Sequence, residues 1–375
     1  MGLLDRYRQF EALSEEEVNS RLRAEAQERR RRELARVDPL DLTRTTWPEY
    51  PPSTVVNAIT FTARRGLHRY LDRQANELRG ELAERHGVPQ DRLVVGGGIA
   101  QLMTSAAQAL LEPGDELVTP WPSYPLYPAM ARRAHGLAVP VSGFGIEPVL
   151  AAVNARTRIV ALCNPNEPTG ELVSSEALGE LLRALPERVV VLLDEALRDF
   201  VDAEPRDATL ALAEDHPRLL VFRTFSKAWG LAGLRCGYAI GGPGAEPLLE
   251  QLAPELGLNE LAQAGVLEAL RTGEALVAAR AAAVAAERRR LSAELRELGV
   301  EVAPSQANVL WLRLDGVDGA EVAHRLERQG VLVAPGGPLG GPGHVRATIR
   351  GREASERLVR AVRGAMGRAP QPFRG

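Results

Sequence analysis

Position 227 carries the sole lysine of this 375-residue chain, since 45 of its 46 Lys and Arg residues are arginine. Arginine therefore serves wherever charge, salt bridging or phosphate binding is needed. A guanidinium stays protonated and cannot attack a carbonyl, whereas an amine can. The task left for Lys227 is condensation with a carbonyl to a Schiff base. A surface lysine left by chance is the bland alternative. Against it stands the setting, the glycine-punctuated run Ser226-Lys227-Ala228-Trp229-Gly230-Leu231-Ala232-Gly233-Leu234-Arg235, with Thr224 three residues before the lysine and Arg235 eight after it. A hydroxyl, a guanidinium and an amine at one strand-end loop suit an anionic, aldehyde-bearing cofactor.

Other candidates lie upstream. Gly96-Gly97-Gly98-Ile99-Ala100 sits between a strand and a helix, where backbone N–H groups and a helix N-terminus can hold a phosphate. A triple glycine is also an ordinary tight turn. Tyr124, after Pro122-Ser123, places an aromatic ring where it could stack on a flat cofactor or simply pack. The loop Asn164-Pro165-Asn166-Glu167-Pro168-Thr169-Gly170 follows one strand, and Asp194 ends the apolar run Val189-Val190-Val191-Leu192-Leu193. An acid there points into the cleft at the carboxyl edge of a sheet.

Strands separated by helices must position these groups. The pattern predicts a helix near Asp72–His86, a strand at Arg92–Val95, a helix over Ile99–Leu111, a strand at Glu116–Thr119 and a helix after Ser123. Further strands are expected at Arg158–Leu162, Arg188–Leu193, Leu219–Phe222 and Cys236–Ile240. The fold class is α/β, a large doubly wound, mostly parallel sheet followed by a smaller α+β C-terminal domain. That second part carries helices over Ala262–Leu270 and Glu274–Leu298, strands at Val309–Leu314, Val331–Val333 and His344–Ile349, and a last helix to about Met366. The expected division is an N-terminal helical arm (1–45), a large cofactor-binding domain (46–270) and a small domain (271–375). The arm opens on the capping-box pattern Ser14-Glu15-Glu16-Glu17 and contains four consecutive arginines, read as a solvated helix face.

A net charge of −3 selects neither nucleic acid nor an anionic membrane. Cys163 and Cys236 lack metal-ligand spacing and form no disulfide framework, so no metal is expected. The charged N-terminus is no signal peptide and no run of 18 apolar residues exists. The expectation is a cytoplasmic protein.

From about Asp41 to Arg368 the chain resembles fold type I, pyridoxal-phosphate-dependent aminotransferases of the class I/II group, in the histidinol-phosphate aminotransferase-like branch. The resemblance implies that Lys227 is the Schiff-base lysine, with Thr224 and Arg235 on the cofactor phosphate. Gly98, Ile99 and Ala100 match the phosphate loop, Tyr124 the aromatic stacked on the ring, and Asp194 the partner of the pyridine nitrogen. Tyr70 matches a tyrosine reaching the neighbouring subunit's site, which implies a homodimer. Arg346 matches the clamp of the substrate α-carboxylate. The implied reaction moves an amino group between an L-amino acid and a 2-oxo acid, the freed Lys227 amine acting as general base at Cα.

Three positions depart from the family's pattern. Glu167 replaces the asparagine before Pro-Thr-Gly, and Leu197 replaces a tyrosine. Both usual residues donate to the cofactor's 3′-oxygen, whereas an ionised glutamate only accepts and leucine does neither. Glu167 is expected to be protonated or turned away when cofactor binds, and the Schiff base to stay protonated to higher pH than in relatives. Val333-Ala334 lacks the arginine expected on a substrate phosphate, which favours an aromatic or other amino acid over histidinol phosphate. The alternatives are another pyridoxal-phosphate reaction, decarboxylation or elimination, and a non-catalytic regulator, disfavoured by a front segment with one evident helix.

Overall fold

The computed structural model describes residues 17, 20, 23, 24, 38–70 and 72–366. The expected arm helix, with its four arginines, falls almost wholly outside the described residues, as does the tail after Met366.

The strands in chain order are β1 Leu40–Asp41, β2 Leu93–Gly96, β3 Glu116–Trp121, β4 Leu137–Ser142, β5 Thr157–Cys163, β6 Val190–Asp194, β7 Leu219–Thr224, β8 Gly237–Gly241, β9 Glu301–Val302, β10 Val309–Arg313, β11 Val331–Leu332, β12 Ala334–Pro335 and β13 Val345–Thr348. A seven-stranded sheet has the order β2-β8-β7-β6-β5-β3-β4. Its strands run parallel except β8, antiparallel to both β2 and β7. Helices α1 Ser53–Gly66, α2 Asn76–His86, α3 Ile99–Leu110, α4 Leu126–Arg133, α5 Ile146–Ala152, α6 Ser175–Ala184, α7 Leu210–Asp215, α8 Glu246–Leu252 and α9 Glu260–Thr272 connect or flank these strands.

The sheet is apolar on both sides, as a covered parallel sheet must be. Val191 and Leu193 enter one core with Leu78, Leu178 and Val266, while Leu192 enters the other with Leu102, Met103 and Met130. Alternation along a strand thus sets which residues share a face. Asp194 falls on the face of Leu192, Cys163 on that of Ala161 and Thr224 on that of Phe222, all three on the α3 and α4 side.

Beyond the sheet come α10 Glu274–Glu297, α11 Gly319–Glu327 and α12 Arg352–Met366. They accompany an antiparallel sheet of order β12-β13-β10-β9. β1 pairs in parallel with β11, so the segment entering the first domain is tied to the last part of the chain. In register, Arg346 on β13 lies opposite Trp311 on one side and Ala334 on the other.

The expected strands of the large sheet are present, and β4, α1, α5 and α8 are among the elements not foreseen. β4 (Leu-Ala-Val-Pro-Val-Ser) is an edge strand paired only with β3, and an edge tolerates the missing donor of Pro140. α1 is rich in β-branched residues that discourage helix; it forms by packing on α9, where Gly265 leaves room for the Ile59 side chain. α5 and α8, seven residues each, are too short for a helical period to stand out.

Candidate active site

The parallel strands bring their carboxyl ends to one sheet edge. Gly96 ends β2, Trp121 ends β3, Cys163 ends β5, Asp194 ends β6 and Thr224 ends β7. Because β8 runs the opposite way, it begins at this edge, with Thr224 opposite Gly237 and Gly237 opposite Gly96. Arg235, two residues before that start, is thereby delivered to the turn that leads into α3. Arg235 takes a left-handed backbone, φ 51°.

The cradle formed there fits a phosphate. Gly98 has φ 93°, and a Cβ on it would lie 2.8 Å from Arg235 Nη2, so the guanidinium faces the first turn of α3 at the one residue type that leaves space. A Cβ on Gly237 would meet Ile99 N at 2.8 Å. Thr224 Oγ1 donates to Ser226 Oγ at 3.0 Å and accepts from Ser226 N at 3.1 Å, which draws a second hydroxyl beside the cradle.

Asp194 is buried and accepts hydrogen bonds from Tyr127 Oη at 2.8 Å and Ala196 N at 3.0 Å. Burial pushes its carboxyl up to about 6 against those two donors, and the Glu167 charge adds to the rise. A buried carboxylate in that position favours a cationic partner such as a protonated pyridine nitrogen. Tyr124 is half-exposed above it, edge-on to Tyr127 with ring centroids 6.0 Å apart. Burial raises the Tyr124 hydroxyl, and the Glu167 and Asp194 charges raise it further, so all three border one space.

Lys227 is half-buried. Its Nζ donates to the Thr45 hydroxyl and lies 3.8 Å from Glu167 Oε2. Glu167 Oε1 pairs with Arg346 Nη1, while Arg346 Nη2 donates to the Thr43 carbonyl. Arg346 Nε is buried with no hydrogen-bond partner among the described residues. The segment from Thr43 to Thr45 is itself tied down, because Asn308 Nδ2 donates to the Thr45 carbonyl at 3.0 Å.

Gly98, Arg235, Thr224, Tyr124, Asp194, Glu167, Lys227 and Arg346 thus gather about the carboxyl edge of the sheet. Ile99 and Ala100 open α3 at its rim. Tyr70 stands apart, fully exposed beyond the end of α1. Leu197 is buried in the core and brings no polar atom to the cleft. Glu167 is turned onto Arg346. Thr45 and Tyr127 went unread in the sequence. Thr45 is 182 positions from Lys227, and only the fold joins them; Tyr127 sits three residues after Tyr124, one helical turn along, a spacing that could have revealed it.

A family model described as aminotransferase class I and II matches residues 38–362. An aromatic amino acid aminotransferase of Corynebacterium efficiens is 37% identical over 319 residues, covering 83% of this chain and 89% of that protein. A protein of the same name from Streptomyces avermitilis is also 37% identical, over 84% of this chain and 87% of its own. Among solved structures, the histidinol-phosphate aminotransferase of Sinorhizobium meliloti in complex with pyridoxal-5′-phosphate superposes with a TM-score of 0.78 at 26% identity, covering 91% of this chain and 94% of that one.

Proposed function

Because the chain belongs to the class I and II aminotransferases, pyridoxal-phosphate-dependent enzymes that move an amino group between an amino acid and a 2-oxo acid, we propose that its amino donor is an aromatic amino acid and that the reaction centres on Lys227. The observation that carries this reading is the convergence of Lys227, Asp194 and Arg346 on one cleft, beside the Gly98 and Arg235 cradle.

When bound, pyridoxal phosphate supplies an electron sink for the charge that develops at the substrate Cα. Gly98, Ile99, Ala100, Thr224 and Arg235 would hold its phosphate, and Lys227 would hold its aldehyde carbon. Asp194, held in place by the Tyr127 hydroxyl, would keep a proton on the ring nitrogen. Tyr124 would pack on the ring. Arg346 receives the substrate carboxylate and so fixes which way the Cα–H bond points. Once the substrate amine has displaced it from the aldehyde carbon, the Lys227 amine, positioned by the Thr45 hydroxyl, would take that proton.

The aromatic assignment rests on the relatives and on Ala334. A cross-strand pair shares a sheet face, so an arginine at 334 would stand beside Arg346 and could hold a substrate phosphate; alanine cannot. We also read the chain as a homodimer. Val56, Phe61, Leu67 and Tyr70, along α1 and just past it, are exposed large side chains, a concentration that favours burial against a second copy, with Tyr70 reaching the other subunit's cradle. We keep the division into an arm (1–45), a large domain (46–270) and a small one (271–375), supported by the seven-stranded sheet lying within the second range and the four-stranded sheet within the third. A cytoplasmic location completes the reading; no helix among the described residues is long and apolar enough to cross a membrane.

The test is a half-reaction without 2-oxo acid. The cofactor-loaded enzyme is mixed with phenylalanine, tyrosine, aspartate or histidinol phosphate, and the cofactor absorbance is followed as the aminated form accumulates. Phenylalanine and tyrosine should convert fastest. Faster conversion by histidinol phosphate or aspartate overturns the donor assignment. Carbon dioxide or an elimination product in place of the aminated cofactor overturns transamination.

A further inference from the structure

The carboxylate clamp already holds a carboxylate. Arg346 Nη1 is paired with Glu167 Oε1, Nη2 with the Thr43 carbonyl, and Nε is buried without a partner among the described residues. A guanidinium binds a substrate carboxylate best through two parallel N–H donors. Here each Nη is taken by a group of the chain itself.

The loop that carries Glu167 leaves little freedom except in the side chain. Asn166 is pinned from three sides: Ser123 Oγ donates to its Oδ1 at 2.7 Å, its Nδ2 donates to Thr169 Oγ1 at 2.9 Å, and Gly170 N donates to its carbonyl at 2.7 Å. Glu167 N is directed at Cys163 Sγ, 3.4 Å away. The backbone at 167 is therefore fixed at the mouth of β5. The carboxylate is the movable part, and Lys227 Nζ lies 3.8 Å from Oε2. A Glu167 carboxylate that gives up Arg346 keeps a cationic partner without leaving the cleft.

We infer that Glu167 is a specificity-determining residue which occupies the clamp as an internal stand-in for the substrate carboxylate, so that every amino acid or 2-oxo acid must displace it from Arg346 before binding productively. The inference rests on the proposed role of Arg346. Two carboxylates cannot share one guanidinium at contact distance without mutual repulsion. Part of each substrate's binding energy is consequently spent on exchanging one ion pair for another, and the carboxylate contributes little net affinity. Selection then falls to the substrate's side chain. A simple carboxylate without a fitting side chain gains nothing that Glu167 does not already supply.

Binding of 3-phenylpropanoate, an aromatic monocarboxylate with no amine to react, separates the possibilities. Its dissociation constant is measured by calorimetry on the cofactor-loaded enzyme for the wild type, Glu167→Gln, Glu167→Asn, Arg346→Gln and the double variant Glu167→Gln/Arg346→Gln. With the internal carboxylate gone, the two Glu167 variants should bind about tenfold tighter or more, the scale of one freed charge-assisted hydrogen bond. Arg346→Gln should erase that gain, leaving the double variant no tighter than Arg346→Gln alone. If the Glu167 variants bind as the wild type does, or more weakly, while Arg346→Gln still weakens binding, the competition is wrong and the clamp stands. If Arg346→Gln changes affinity in neither background, the clamp fails and the inference with it. Glu167→Asn decides the matter should Glu167→Gln fail to fold.

Discussion

Among the buried arginine–carboxylate pairs of the described residues, Arg223–Glu195 and Arg346–Glu167 are built differently. Beneath the sheet edge, Arg223 donates from Nε to Glu195 at 2.8 Å, from Nη2 to the Arg206 carbonyl at 2.9 Å and from Nη1 to Asp207, while Glu195 also accepts from Thr209 Oγ1 at 2.5 Å. Burial opposes the Arg223 charge, and Glu195 and Asp207 more than offset that, holding its proton well above the usual guanidinium range. In the cleft, Arg346 leaves Nε unpartnered, and Glu167 stands with one oxygen 3.8 Å from Lys227. The first pair is closed. The second has an unused donor, and the cation beside it, Lys227, is bonded to one hydroxyl, whereas Arg198 beside Glu195 is held by Glu204 and two carbonyls. Between these two pairs the difference lies in how far the neighbouring donors and cations are already committed, and not in burial.

Removing one arginine at a time breaks the comparison most forcefully. Arg223→Gln removes the direct partner of the buried Glu195 and leaves it only Arg198 at 3.7 Å, a guanidinium already held by Glu204 and two carbonyls, so it should cost about 3–5 kcal/mol in denaturant unfolding, with KM nearly unchanged in whatever fraction folds. Arg346→Gln should leave the unfolding free energy within about 1 kcal/mol, because the Glu167 charge it strands lies within reach of Lys227, yet lower kcat/KM for amino acids by roughly tenfold to a hundredfold. If Arg346→Gln destabilises as much as Arg223→Gln, the cleft pair is structural too.

Asp194 sharpens the picture of the site through pH. Burial raises the Asp194 carboxyl to about 6, above its ordinary 3.8. A group whose folded value is raised contributes stability that is present at low pH and lost as pH climbs through the folded value. The cofactor-free wild type should therefore lose about 2–3 kcal/mol relative to Asp194→Asn between pH 4 and pH 6.5. Cofactor affinity should rise over that interval as the carboxylate ionises, and the gain should vanish in the variant. Equal pH profiles for the two proteins would remove Asp194 from the site.

Much of the cofactor-facing side of the site was legible because its signals are local. Asp194 terminates an apolar run of strand length, Lys227 stands out by composition, and Gly98 marks a turn before a helix. The contacts of the clamp and of the buried Arg223 pair were not, because they join positions far apart: Lys227 with Thr45, Arg346 with Glu167 and Thr43, Asn308 with Thr45, Arg223 with Glu195. Spacing along a chain carries no information about such pairs. The substitution at 167 was visible in the sequence, and the direction in which its carboxylate turns was not. β4 and α1 were missed for a related reason, since an edge strand with a proline and a helix of β-branched residues take their stability from neighbours rather than from their own propensities.

The smallest expected effect concerns Leu197, buried where a tyrosine would donate to the cofactor's 3′-oxygen. An absorbance titration of the cofactor–lysine chromophore should show its transition about one pH unit lower in Leu197→Tyr than in the wild type, the worth of one charge-assisted hydrogen bond. Coincident transitions would mean that the 3′-oxygen has found another donor.

The assignment of Lys227 supports everything else, and the composition makes its test unusually clean. Borohydride reduction of the cofactor-loaded enzyme, followed by peptide mass mapping, should place one pyridoxyl group per chain on the peptide containing Lys227, the only lysine available. A chain that binds the cofactor yet yields no reduced adduct at Lys227 would contradict the account.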